Sequence, residues 1–243
     1  MTIPDLSVVV PAFNESRRLV DSLQLLDEYL RQASPDAEII VVDDGSTDGT
    51  GSLARQQLGS RRGRVLSNDR NLGKGFAVRR GVLESSGRTV LITDADLSCP
   101  IEEHARLDRA MREGELDIVI GSRSLPNSNV EVHQHLGREL MGKTFNVIVR
   151  ALTGLPYADT QCGFKLVDRT RTRELFERLT VHRFAYDVEL LLLAVQAGLR
   201  VGDVPIVWRN SPDTRLSLVG DSSRMLVDLV RVAVRARRHT SGS

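Results

Sequence analysis

The chain has 243 residues, of which 41% are apolar and 27% charged, with a formal net charge of +1. That length holds one large α/β domain or two small ones, the composition is that of a soluble globular protein, and the near-neutral balance excludes a global field for nucleic acid. Cys99 and Cys162 form no C-x-x-C pair, the amino terminus lacks a signal-peptide pattern, and no apolar run approaches the roughly 20 residues of a membrane span, which excludes a disulfide framework, a zinc site and an integral membrane protein. A cytoplasmic chain, free or peripheral at the inner face of the membrane, is the expected setting.

Leu6 to Val10 predicts a buried strand stopped by Pro11, and Asn14 to Ser16 offer caps for the helix that follows. Leu19, Leu23, Leu26 and Leu30 recur at helical spacing. Glu38 to Val42 predicts a second strand, which ends in the polar turn from Asp43 to Gly49, and a short helix then runs through Leu53 and Leu58. Arg64 to Leu66 predicts a third strand, Asn71-Leu72-Gly73-Lys74-Gly75 a glycine-rich turn, and Phe76 to Leu83 a helix. Arg88 to Thr93 predicts the fourth strand, Ile101 to Arg112 a helix, and Asp117 to Gly121 a further strand. Beyond it lie a polar loop from Leu125 to His135, a helix from Leu136 to Leu152, and an irregular polar stretch from Tyr157 to Lys165. Arg171 to Arg178 predicts a short helix. Tyr186 to Glu189 leads into the helix Leu190 to Ala197, which Gly198 ends in the C′ position. Val201 to Trp208 predicts a strand, Asn210 to Ser222 a second loop, and Ser223 to Arg238 a final helix.

Strand and helix alternate from the start to Gly121, which predicts an α/β fold: a mainly parallel sheet with helices on both faces. Right-handed crossovers put the carboxyl ends of the strands on one rim, where ligands bind in open α/β sheets. Asp43-Asp44, Asp94 with Asp96, and Ser122-Arg123 all follow predicted strands and share that rim. In an extended segment residues two apart point the same way. Asp94 and Asp96 can then address one ligand, and a hard divalent cation carrying a diphosphate is the best chemical match. A solvated strand-to-loop turn has the same signature. Pro11 to Glu15 can offer backbone groups and a carboxylate to a nucleoside, or form a plain capped connection. Asp43 can take ribose hydroxyls or a base N–H, or form an Asx turn. Asn71 to Gly75 puts glycines and Lys74 before a helix, which suits a phosphate, but P-loop and dinucleotide signatures are absent and a structural turn reads the same.

Taken in order, Pro-Ala-Phe-Asn-Glu, Asp-Asp-Gly-Ser-x-Asp, Asn-x-Gly-Lys-Gly, Asp-x-Asp and Gly-Ser-Arg on successive strands resemble the family 2 inverting glycosyltransferases of the GT-A (Rossmann-like) fold. Asp94 to Ser98, Asp159 to Lys165 and Phe184 to Glu189 narrow the resemblance to the polyprenyl-phosphate glycosyltransferases, the dolichyl-phosphate β-glucosyltransferases foremost, over roughly Leu6 to Arg238. The resemblance implies one domain over 1–243. Its nucleotide-sugar half is 1–123, its acceptor-side half 124–222, and 223–238 a basic amphipathic helix. It implies that Pro11, Ala12, Glu15 and Asp43 hold the nucleoside, that Lys74 neighbours the base and diphosphate, and that Asp94, Ala95 and Asp96 meet the donor. Asp94 and Asp96 then hold a divalent metal, Mg2+ or Mn2+, with Asp96 in direct contact. Arg123 neighbours the sugar or acceptor phosphate, Gln161 and Lys165 belong to the acceptor side, and Asp187 with Glu189 forms a third acidic pair. Asp96, Asp187 and Arg123 are the expected catalytic residues.

The implied donor is UDP-glucose, with GDP-mannose second, and the implied acceptor a polyprenyl or dolichyl phosphate. Such an acceptor is largely dianionic at neutral pH and needs little base catalysis. Arg123, Lys165 and Arg215 are then candidates for neutralising it, and Asp187 serves as a base only toward a hydroxyl. Many of these enzymes carry membrane helices, and this sequence shows none. Arg224, Arg231, Arg235 and Arg238 instead share one stripe of the final helix, which predicts a peripheral membrane contact. Alternatives are a family 2 enzyme with a soluble acceptor, a phosphatase of the haloacid-dehalogenase type, whose loop however follows the first strand, and a non-catalytic nucleotide-sugar binder.

Overall fold

β1 (Leu6–Ala12) pairs in parallel with β2 (Glu38–Asp43), with Val8 opposite Ile39 and Val9 opposite Ile40. Successive side chains of a strand point to opposite faces, and here both sets are apolar. Val8, Val10, Ile39 and Val41 face one layer of helices, and Val9, Ile40 and Val42 face the other. A sheet apolar on both faces must be covered on both. The computed structural model describes residues 4–59, 63–131, 136–209 and 220–240, with side chains described outside 136–143, 220–224 and 237–240.

On the first face lie α1 (Leu19–Ala33), α2 (Thr50–Leu58) and α4 (His104–Glu113), which bury Leu19, Leu23, Leu26, Leu30, Ala54, Leu107 and Met111. Each buried leucine contributes about 2 kcal/mol of transfer free energy. The second face takes α3 (Lys74–Glu84), α5 (Leu136–Thr153), α6 (Arg169–Arg178), α7 (Tyr186–Gln196) and α8 (Gly220–Thr240). Gly198 ends α7 as expected, with φ +69° and the Leu199 N–H donating to the Ala194 carbonyl.

The sheet has seven strands in the order β3-β2-β1-β4-β7-β5-β8, where β3 is Gly63–Ser67, β4 Thr89–Ile92, β5 Ile118–Ser122, β7 Lys165–Asp168 and β8 Val201–Pro205. The mainly parallel α/β sheet expected from the sequence is present. β7 is the departure. It lies in a region read as irregular and then helical, and it runs antiparallel between β4 and β5, with Lys165 opposite both Ile92 and Ile120. Reversed direction brings the amino end of β7 to the rim where its neighbours have their carboxyl ends. The strand expected over Val201 to Trp208 is divided at Ile206. Its second part, β9 (Val207–Trp208), pairs with β6 (Asn129–Val130) inside the stretch expected to be a loop. Arg215 and most of the second expected loop lie outside the described residues, as does the end of the first.

The start of α3 is a tight join. Gly73 has φ +106°, and a Cβ there would stand 2.4 Å from the His182 carbonyl oxygen. At Gly75 a Cβ would be 2.6 Å from the Val181 oxygen. His182 also accepts the Phe76 N–H at 3.1 Å, so the 181–183 turn covers the amino end of α3. Gly73→Ala therefore costs about 1–3 kcal/mol of stability, read as a lower urea midpoint by circular dichroism. Gly59→Ala, with φ +56° and nothing within 4 Å, loses less.

Candidate active site

The loops that leave β1 and β2 are fastened to each other. Asn14, in the left-handed region at φ 56°, donates its N–H to Ser46 Oγ at 2.9 Å and accepts the Thr47 N–H on Oδ1 at 2.9 Å. The Glu15 N–H donates to Thr50 Oγ1 at 2.8 Å and the Ser16 N–H to Asp48 Oδ2 at 3.2 Å. Asn14 and Ser16 are thus cross-links and not the expected caps, because α1 starts only at Leu19 and has no side-chain cap. Asp43 is buried at the end of β2, takes the Ser46 N–H at 3.0 Å, and rests its other oxygen against Gly51 at the start of α2. Asp44 turns inward and accepts from Asn68 Nδ2 at 2.7 Å, Leu72 N at 3.0 Å and Gly73 N at 2.8 Å, which makes it a fastener of the 68–73 turn. Pro11 pairs with Val42, and the Ala12 carbonyl accepts the Asp44 N–H at 2.8 Å. Glu15 is gripped by the Arg18 guanidinium.

β4 ends at Ile92, so Asp94 and Asp96 sit in a turn, with Leu97 at φ 45°, and the strand alternation invoked from the sequence does not govern them. Ala95 between them is buried. Asp94 pairs with Lys74, the first residue of α3. Asp96 takes the Ser98 N–H on Oδ1 at 3.0 Å and has Arg18 Nη1 3.4 Å from Oδ2. The glycines around Lys74 serve close packing, and Lys74 addresses a carboxylate from there. Burial works against its charge, but Asp94 and then Asp187 and Asp96 raise its pKa above the ordinary lysine value. Burial likewise opposes ionisation of Asp94, and Lys74 nevertheless holds it below the ordinary carboxylate range.

The acidic pair fits a hard divalent ion. Its donors are carboxylate oxygens, and among the described residues no group of three or more His, Cys, Asp or Glu could enclose an ion. That is the donor set of a cation that keeps waters and takes its remaining ligands from substrate phosphates. Gly163 lets the Asp94 carboxylate lie against the backbone, since a Cβ there would stand 2.3 Å from Asp94 Oδ2.

Arg123, just past β5, is clamped by Asp159, with Nε 2.6 Å from Oδ2, Nη2 2.9 Å from Oδ1, and its own N–H 3.2 Å from Oδ2. Its guanidinium lies 4.9 Å from the Trp208 ring centroid. Burial opposes the Arg123 charge and Asp159 outweighs it, raising the pKa. The reciprocal holds at Asp159, where Arg123 lowers it against burial. Gln161 is partly exposed and its N–H lies 3.4 Å from Asp159 Oδ1. Lys165 is wholly buried and donates to Asp187 Oδ1 at 2.5 Å and to the Cys162 carbonyl. Burial raises the pKa of Asp187 in spite of Lys165 and Lys74. Glu189 parts from Asp187 and accepts Thr180 N at 3.0 Å, Thr180 Oγ1 at 2.7 Å and Val181 N at 2.8 Å, a fastening role for the turn over α3. Both cysteines are free and buried.

Three pairings at this rim carry no signal in the sequence. Asp159 meets Arg123 across 36 positions, Arg18 meets Asp96 only through the fold, and Trp208 reaches Arg123 through β9. Asp159 does open the Asp-Thr-Gln-Cys-Gly-Phe-Lys stretch, which is the one hint it offers.

Asp48 gives the site a pH dependence. Burial opposes its ionisation, but hydrogen bonds from Thr50 and Ser16 hold its carboxyl at about 2. A carboxyl lowered on folding stabilises the native state above its unfolded pKa and loses that contribution as pH falls toward the folded one. The Asp48 contribution is therefore lost between the ordinary carboxylate range and about pH 2. Asp48→Asn flattens the acid limb of a stability-against-pH curve in that window and leaves the neutral limb parallel to that of the native chain, measured by urea unfolding.

The profile of glycosyl transferase family 2 matches residues 7–176. A dolichyl-phosphate beta-glucosyltransferase of Dictyostelium discoideum is 35% identical over 95% of this chain and 74% of its own length. That of Drosophila melanogaster is 36% identical over 95% and 75%. Among solved structures, the Mycobacterium tuberculosis glucosyl-3-phosphoglycerate synthase in complex with UDP superposes with a TM-score of 0.71 at 22% identity, covering 95% of this chain and 80% of that one, and so shares the GT-A fold. The strands, the rim they build and a family profile spanning most of the sheet agree, and the chain belongs to glycosyl transferase family 2.

Proposed function

We propose that this protein transfers glucose from UDP-glucose to a polyprenyl phosphate of the dolichyl type, with inversion at the anomeric carbon. The observation that carries it is the meeting at one rim of the carboxylates Asp94 and Asp96 with the cations Lys74 and Arg123. Relatives named dolichyl-phosphate beta-glucosyltransferase support the sugar and the acceptor, since they match through the acceptor-side half as well as the donor half. Structures of the M. tuberculosis synthase with Mn2+ and UDP-glucose support the donor and the ion.

Breaking the bond to the leaving diphosphate builds negative charge on its β-phosphate oxygen. Asp94 and Asp96 would hold a divalent ion, Mg2+ or Mn2+, which when bound would supply Lewis-acid stabilisation of that charge. Lys74 adds a fixed positive charge beside it, already oriented by Asp94. Pro11, Ala12, Glu15 and Asp43, at the ends of β1 and β2, take the nucleoside. The acceptor phosphate has a second pKa near 6 by analogy with phosphorylated side chains, so it attacks without losing a proton. It needs a positive seat, and Arg123 offers one: Asp159 engages Nε and Nη2, and Trp208 supports the guanidinium. Lys165 is too deeply buried to touch an acceptor and acts through its charge. Asp187 serves by holding Lys165, and a base is not needed.

Supplied with polyprenyl phosphate, the protein should move radiolabel from UDP-glucose into a butanol-extractable lipid. Asp96→Ala should lower that rate about a hundredfold or more. Label found only in a water-soluble product would move the acceptor to a soluble molecule, and full activity of Asp96→Ala with chelator present would remove the metal.

We further propose that α8 lies against an anionic membrane surface. One arc of it, Leu229, Val232 and Ala233, is buried in the domain, whereas Leu226, Val227, Val230 and Val234 are exposed, and Arg231 is exposed on the arc beyond them. Arg235 reaches back to Thr180 Oγ1 at 2.6 Å, and the side chains of Arg224 and Arg238 lie outside the described residues. Apolar and basic arcs side by side are what an interfacial helix presents. Among the described residues no helix is long and apolar enough to cross a membrane. The chain should co-sediment with phosphatidylglycerol vesicles, less at high salt and less with Val227→Ser, Val230→Ser and Val234→Ser combined. Failure of the native chain to co-sediment at low salt removes this contact.

A further inference from the structure

Arg18 has no part in the transfer chemistry above, yet it touches two residues of the donor site. Its Nε and Nη2 grip Glu15, Nη2 at 2.8 Å from Oε1, while Nη1 stands 3.4 Å from Asp96 Oδ2. The three side chains are only 22%, 17% and 15% exposed. The other oxygen of Asp96 already accepts the Ser98 N–H at 3.0 Å. So the one Asp96 oxygen not used by its own turn faces a guanidinium. Glu15 lies in the loop after β1 and Asp96 in the turn after β4, so Arg18 joins the nucleoside end of the site to its diphosphate end.

We propose that Arg18 is a placeholder cation: it occupies the outward oxygen of Asp96 until a divalent ion displaces it, and it thereby sets how tightly the bare protein takes up metal. This rests on Asp96 being a metal carboxylate. A guanidinium and a divalent ion repel, and they cannot share one carboxylate oxygen at contact distance. Arg18 is the cation that stands within ion-pair distance of Asp96 and of Glu15. Glu15 keeps two of the three guanidinium nitrogens when the longer contact to Asp96 opens. Lys74 is the weaker candidate for the same task, since Asp94, Asp187 and Asp96 all act on its charge. Arg18 is therefore a positioning residue that acts through Asp96 and touches neither sugar nor acceptor.

The test is Mn2+ binding to the full chain without nucleotide, followed by electron paramagnetic resonance of the free ion and by calorimetry. Arg18→Gln should bind Mn2+ about threefold or more tightly than the native chain, whereas Asp96→Asn should bind it more weakly. Unchanged or weaker binding by Arg18→Gln, with Asp96→Asn still impaired, overturns the placeholder and leaves the metal assignment standing. Asp96→Asn binding Mn2+ as well as the native chain overturns both. Arg18→Met keeps the packing of the stem and gives the same readout if the glutamine variant does not fold by circular dichroism.

Discussion

The ammonium of Lys165 is buried completely at the middle of the sheet, and Asp187 is the anion that meets it. A charge in that position needs a partner, because removing one member of such a pair costs about 3–5 kcal/mol. The need for Asp187 places the first turn of α7 at the start of β7. From there the constraint spreads. Tyr186 packs on Gly75, Glu189 holds the 180–181 backbone, and His182 closes over the start of α3. Lys74 is the first residue of α3, so its reach to Asp94 is set by the same chain of contacts.

Four carboxylates at this rim meet a protein cation: Asp94 with Lys74, Asp96 with Arg18, Asp159 with Arg123 and Asp187 with Lys165. The pairs differ in depth. Lys165 and Asp187 are enclosed, and burial raises the Asp187 pKa even against two lysines. Asp94 and Asp96 stay partly exposed, and Lys74 holds Asp94 below the ordinary range. Enclosed pairs suit architecture, because their partners cannot be exchanged without leaving a bare charge. Partly exposed pairs suit chemistry, because water and an incoming ion can stand in for the protein cation.

Much of this was legible in the chain before folding. The continuous runs of valine and isoleucine in β1 and β2, the leucines of α1 and Gly198 after α7 each state their structure within a few residues. The order of polar clusters after successive strands was enough to predict a common rim. The glycines around Lys74 were legible only as a turn, because their function is to admit the 181–183 backbone, which lies far away in sequence. Asp43 and Asp44 look alike in sequence, and only their partners separate a rim carboxylate from a fastener.

The sequence by itself determined the α/β alternation, the burial of the strands and the set of acidic and basic residues at strand ends, since these follow from local periodicity and a fixed crossover hand. Tertiary structure alone decided β7, whose four residues become a strand only because β4 and β5 offer hydrogen-bonding edges on both sides. It also decided the pairing of charges. Arg123 finds Asp159, Lys165 finds Asp187 and Arg18 finds Asp96 across gaps that no periodicity encodes. Ion pairing depends on distance in space, and distance in space at this rim is set by the packing of both helix layers on one sheet.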